Sequence, residues 1–160
     1  MDTQRAPLGL RSHDSGIHLV ELAAEAIDVV CPRCRSRAAN TARPNDSAYV
    51  GTWPRRLTCP NCAYWAEWAS GAGRYSVWGG PVDPFFGVPL WWQAECCGGR
   101  TLWALNEKHL DLLERHVAAR LRERTGPPRN SSMVSRLPGW LSAAGNRAEV
   151  LTTIRRLRAR

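Results

Sequence analysis

Cys31-Pro32-Arg33-Cys34 and Cys59-Pro60-Asn61-Cys62 bracket the stretch that decides the architecture: two Cys-Pro-x-Cys turns with 24 residues between them. Zinc has no geometric preference of its own and accepts four thiolates tetrahedrally at about 2.3 Å. Each Cys-x-x-Cys makes a tight turn that points both sulfurs inward and leaves backbone N–H groups free to bond them. The intervening residues must leave the first turn and come back to present the second, which a strand–loop–strand excursion does easily. A thioredoxin-like dithiol would show one Cys-x-x-Cys in a βαβ context, not two among strand-forming residues. One structural zinc ion on Cys31, Cys34, Cys59 and Cys62 is the expectation. Four protein ligands close the site, so no coordination position is left for a catalytic water.

Outward from the cysteines, the residues favour an α+β chain: a zinc-ribbon antiparallel β-sheet followed by C-terminal α-helices. Residues 1–16 are polar and read as a disordered N-terminal tail. Residues 17–106 form a zinc-ribbon β domain with aromatic hairpins. Within it, Ile17 to Ala26 suits a short helix, and Ile27-Asp28-Val29-Val30 a strand entering the first turn. Residues 40–54 read as a loop with a short strand at Tyr49-Val50. Ala63 to Trp68 and Tyr75 to Trp78 flank Ser70-Gly71-Ala72-Gly73, and Leu90 to Glu95 and Arg100 to Leu105 flank Cys96-Cys97-Gly98-Gly99, two hairpin patterns. Residues 107–160 are a basic helical region. Asn106 caps a helix carried by Leu110, Leu113, Val117 and Leu121 and stopped by Gly126-Pro127-Pro128. Asn146 with Glu149 has the form of a capping box for the last helix.

The two Cys-Pro-x-Cys turns, over about residues 27–68, resemble the zinc ribbons of transcription factor IIB-type and related nucleic-acid-handling proteins. Arg35 and Ala63 stand where the usual ribbon has Gly after its second cysteine. Asp83-Pro84-Phe85-Phe86-Gly87-Val88-Pro89-Leu90-Trp91 and Leu102-Trp103-Ala104-Leu105-Asn106 look like segments of uncharacterised bacterial zinc-ribbon proteins, a resemblance that implies a family and no activity.

Charge divides unevenly. The formal net charge is +8, and residues 107–160 alone carry +7. Lysine is almost absent, Lys108 against 21 arginines, which fits an Arg-rich bacterial proteome or a preference for bidentate phosphate contacts. Four thiolates and one zinc lower the formal +8 to about +6. Arg33, Arg35, Arg37, Arg55 and Arg56 lie near the ligands, and their first role is to offset that local negative charge. The search for a nucleic-acid surface therefore moves to Trp91 and Trp92 as stacking platforms and to Arg120, Arg124, Arg155, Arg156 and Arg158 for phosphate. Core packing accounts for most of the eight tryptophans, and any exposed remainder could instead anchor a protein partner.

Cys96 and Cys97 read as small buried groups, with a second metal site shared with His109 or His116 as the alternative. No Ser/His/Asp order, phosphate loop or His-Glu-x-x-His motif occurs, so a non-enzyme is expected. DNA or RNA binding, or membership of a nucleic-acid-handling complex, leads, and a protein-interaction adaptor is second. Met1 to Gly16 lacks an apolar export stretch and no run approaches the roughly 18 apolar residues of a membrane span, so a cytoplasmic protein is expected.

Overall fold

The computed structural model describes residues 16–71, 76–119 and 132–160, together with the backbone alone of 11–14 and 121–124. It is α+β: a four-stranded antiparallel sheet and a two-stranded hairpin, followed by C-terminal helices. The chain runs β1 (Arg11–Asp14), α1 (Leu19–Leu22), β2 (Ile27–Val30), β3 (Arg37–Ala42), β4 (Arg55–Thr58), β5 (Trp65–Trp68), β6 (Trp92–Cys96), β7 (Arg100–Ala104), α2 (Glu107–Ala118), β8 (Leu121–Arg124), α3 (Gly139–Ser142) and α4 (Arg147–Arg158). Strands β2, β3, β4 and β5 pair in sequence order, with Ala39 opposite Asp28 on one side and Thr58 on the other, and Trp65 opposite Thr58.

Period-2 burial fixes which face is inside. In β2, Ile27 and Val29 are buried while Asp28 and Val30 are half-buried; in β4, Arg55 and Leu57 point inward, and Arg56 and Thr58 outward. The β6–β7 hairpin is attached to the β2 edge. Asp28 N–H donates to Leu105 O, Trp91 N–H to Asp28 O, and Val30 N–H to Pro89 O, each at 2.8–2.9 Å. Helices α2 and α4 cover this hairpin, burying Leu110, Leu113 and Val117 and Val150, Ile154 and Leu157. One hydrophobic cluster joins these to the sheet through Leu90, Leu102 and Leu105.

Asn106 sets the junction. Its Oδ1 accepts the His109 N–H at 3.0 Å as the N-cap of α2, while its Nδ2 donates to Leu22 O and Ala26 O at 2.9 and 3.1 Å. One buried amide therefore starts the helix and docks it on the turn after α1. Lys108 repeats the attachment at the surface through an ion pair to Glu25 at 2.7 Å.

Several local expectations are corrected. Arg11–Asp14, placed in a tail, is a strand paired in parallel with β8 from Arg11 opposite Leu121; residues 1–10 lie outside the described set. The first long helix ends at Ala118, not near Gly126, because Ala119 turns to an extended ψ of 130° and the chain enters that pairing. Ladder hydrogen bonds there override helix propensity. Asn40–Ala42 belongs to β3, and Val50–Thr52 is a 3-10 turn. Residues 76–78 form no hairpin arm with β5; Val77 N–H donates to Pro84 O instead. The capping box before α4 does not form. Asn146 is itself helical, at φ −95° and ψ −10°, so its side chain is turned away to Trp140 O. Among the described residues no helix is long and apolar enough to cross a membrane.

Candidate metal centre

Both cysteine turns are built the same way, each between two paired strands. Leaving β2, Cys31 N–H donates to Ser36 O and Arg35 N–H to Cys31 O; leaving β4, Cys59 N–H donates to Tyr64 O and Ala63 N–H to Cys59 O, all at 2.8–3.0 Å. Closing these loops forces the residue after each second cysteine into the left-handed region, with φ 66° at Arg35 and 58° at Ala63. Glycine adopts that conformation without penalty, and this chain uses arginine and alanine.

The antiparallel pairing of β3 with β4 brings the turns together at one end of the sheet. Cys31 Sγ lies 3.7 Å from Cys62 Sγ, and Cys34 Sγ lies 3.5 Å from Cys59 Sγ. All four sulfurs fall within 4.8 Å of one another. A tetrahedral ion with bonds of about 2.3 Å needs sulfur–sulfur edges of about 3.8 Å, so the set fits. These separations are far beyond the roughly 2.05 Å of a disulfide. Cys31 and Cys59 are buried and Cys34 and Cys62 half-buried, with Arg33 N–H on Cys31 Sγ and Asn61 Nδ2 on Cys34 Sγ. Together they could hold one metal ion.

Protonation points the same way. The Asn61 amide, then Ser36 with its backbone N–H and hydroxyl, holds the Cys34 thiol down to about 5. Burial pushes Cys31 up, but the N–H groups of Cys34 and Arg33 outweigh it and lower it. Tyr64 N–H pulls Cys62 down, yet burial and the three neighbouring sulfurs raise it to about 12. Sulfurs this close cannot all carry negative charge without a cation among them.

The second cysteine pair is separate. Cys96 and Cys97 Sγ are 2.8 Å apart, and Glu149 completes a group within 4.8 Å. Glu149 already accepts Cys97 N–H at 2.6 Å, and burial followed by the neighbouring Cys96 pushes the Cys97 thiol up to about 12. Neither histidine joins them. His109 Nδ1 accepts Leu105 N–H at 3.1 Å, and His116 Nε2 lies 3.2 Å from Ser142 Oγ.

The residues expected to bind nucleic acid do not converge. Trp92 is 4 % exposed, its Nε1 donates to Asp28 at 2.7 Å and Arg37 covers its ring, so it offers no free face. Trp91 is half-buried, and the Arg160 guanidinium lies 4.5 Å from its ring centre. Arg158 is held by Asp111 and Glu114. Arg155 and Arg156 are exposed, and among the described residues their side chains have only hydroxyl partners, Thr152 and Thr153. Arg120 lies outside the described residues, as does the side chain of Arg124.

Another tryptophan is exposed where stacking was not sought. Trp65 is 58 % exposed, and the Arg56 guanidinium sits 5.1 Å from its ring centre. The strand register places both on the outer face with Ala39, Thr41 and Thr58, side chains too short to screen an indole. Alternation in Trp65-Ala66-Glu67-Trp68 carried this signal: Glu67 shares the Trp65 face, and Trp68 goes to the core.

Comparison with known proteins returned no matching family model, no matching curated protein and no matching solved structure.

Proposed function

We propose that this chain is a non-catalytic zinc-ribbon protein of the reducing cytoplasm that binds nucleic acid across the outer face of its four-stranded sheet. A tetrahedral set of four thiolates is the donor chemistry that suits zinc, and it leaves the ion a structural role. The observation that carries the binding reading is Trp65, an exposed indole next to Arg56 on a sheet face shared with Ala39, Thr41, Thr58 and Glu67. That combination supports base stacking with phosphate contact, as in single-strand binders. Arg33 and Arg35 are exposed in the first cysteine turn, Arg43 follows β3 and pairs with Glu67 at 3.6 Å, and Arg155 and Arg156 add cations on α4.

Two measurements test this. Elemental analysis of the purified chain should find one zinc, and Cys31→Ser or Cys62→Ser should lose it. Single-stranded homopolymers should change tryptophan fluorescence at low salt, with affinity falling as salt rises. Trp65→Ala should cost about 1–3 kcal/mol of binding. Unchanged affinity in Trp65→Ala would remove the sheet face as the binding surface. The second reading, a protein-interaction adaptor, draws on Tyr49, Val77 and Val82, exposed at 51, 73 and 45 %; absence of any nucleic-acid binding would leave that reading standing.

A further inference from the structure

A cleft of about 850 Å³ that none of the four clustered cysteines lines is walled by α1, β7, α2, α3 and the turn before α3. This is within the size range of small-molecule sites, roughly 300–1,000 Å³. Its lining is mainly apolar and includes Trp78, Trp103 and Trp140. Three polar side chains on it keep donors that no acceptor among the described residues takes up.

His109 is the first. It is 2 % exposed and lines the cleft. Because Nδ1 accepts the Leu105 N–H, the ring proton must sit on Nε2. That Nε2–H has no partner among the described residues, and the atom is not sealed in the core. Left open to the cleft, that N–H is available to an acceptor on a bound molecule. Trp103 meets the imidazole edge-on at 5.5 Å and fixes its plane. Burial holds the ring's pKa down to about 4, so it offers a neutral N–H and not a charge.

Arg100 and Arg136 are the others. Both are exposed and both line the cleft, which puts them at its mouth while His109 lies at its closed end. Neither has an acidic partner among the described residues. The Arg100 guanidinium lies 6.0 Å from the ring centre of Trp140, which lines the same cleft. An apolar body, one acceptor at depth and an anionic end at the entrance would satisfy all three groups together.

We propose that this cleft binds a small aromatic anion, with its rings against Trp78, Trp103 and Trp140, an acceptor atom on His109 Nε2, and its acidic group held by Arg100 and Arg136. The site is independent of the nucleic-acid reading, since it shares no residue with the Trp65 face.

The probe is 1-anilinonaphthalene-8-sulfonate, and the control is N-phenyl-1-naphthylamine, the same rings without the sulfonate. The zinc-loaded chain should bind one sulfonate probe, with quenching of tryptophan emission, and should bind the neutral probe about tenfold more weakly or worse. Arg100→Gln with Arg136→Gln should weaken the sulfonate probe by about tenfold and leave the neutral one within about twofold. Leu137→Trp, which fills the cleft from its wall, should weaken both while a cooperative thermal transition is kept. If Leu137→Trp loses that transition, the two surface arginine substitutions decide alone. Several weak probe sites per chain would overturn the proposal, as would equal affinity for both probes or sulfonate affinity that survives the arginine substitutions.

Discussion

Arg55→Met should destabilise the chain by about 3–5 kcal/mol, the usual cost of breaking a buried charge arrangement from one side. Arg55 is 1 % exposed, and its guanidinium donates to Asn40 Oδ1 at 2.6 Å, Asn40 O at 3.1 Å and Ala23 O at 2.7 Å while lying over the Phe85 ring. Asn40 passes the arrangement on, since its Nδ2 donates to Asp83 Oδ1 at 2.8 Å, and Asp83 Oδ2 accepts the N–H groups of Phe85 and Phe86. Methionine fills similar space but leaves three acceptors without donors and a buried carboxylate without its counter-charge. Burial raises the Asp83 pKa despite Phe86, Asn40, Phe85 and Arg55, all of which pull it down. Removing Arg55 takes away one of those opposing influences, so the pKa rises further. A carboxyl whose folded pKa lies above its unfolded value of about 3.9 contributes stability that is present below that value and lost as pH rises through the folded one. The deficit of Arg55→Met should therefore grow as pH rises from about 4 through the folded pKa of Asp83. Urea unfolding with excess zinc, monitored by tryptophan emission, measures it across that range. Adding Asp83→Asn should recover about 1–3 kcal/mol relative to the sum of the single effects. A loss under about 1 kcal/mol, a deficit independent of pH, or strict additivity would refute the coupling.

Three further perturbations follow from the same geometry. Ala63→Gly and Arg35→Gly relieve left-handed backbone costing about 1–2 kcal/mol against a glycine entropy cost of about 0.5–1 kcal/mol, so each should raise stability by up to about 1.5 kcal/mol and keep the metal; chelator competition and urea midpoints check this, and a loss of stability would contradict it. Trp92→Phe removes the indole donor to Asp28 and should cost about 1–3 kcal/mol by urea midpoint without changing nucleic-acid affinity. Asn106→Ala should cost about 2–4 kcal/mol, combining a lost cap with two carbonyls left unpaired, whereas Asn106→Asp keeps the cap and should fall between it and the parent.

The metal end of the sheet was legible because its information is local. Two turns of the same composition, each after strand-forming residues, determine both the knuckle hydrogen bonds and the approach of the sulfurs. The helices were legible for the same reason, down to Asn106 as a cap. What the sequence concealed depends on partners distant in the chain. Arg55 and Arg56 are adjacent and of one residue type, yet one is sealed beneath Phe85 and the other lies beside an exposed indole, and only the register of β4 separates them. Alternation puts Trp91 and Trp92 on opposite faces but does not say which is sealed; Asp28, 64 residues before Trp92, decides it by accepting the Trp92 Nε1–H. Asn146 and Glu149 had the spacing of a capping box, but Glu149 is engaged by the Cys97 N–H across the fold. The end of α2 was misplaced because a parallel pairing with Arg11–Asp14 has no signature in the helix itself.

Lys108 is the chain's one lysine, and its ammonium bridges the start of α2 to Glu25 on the turn that leads into β2. An amine-directed label therefore meets one side chain besides any free amino terminus. Its rate of modification reads a single mechanical joint, that between α1 and α2. A dye placed there would report the docking of those elements without adding a cysteine to the six thiols already present.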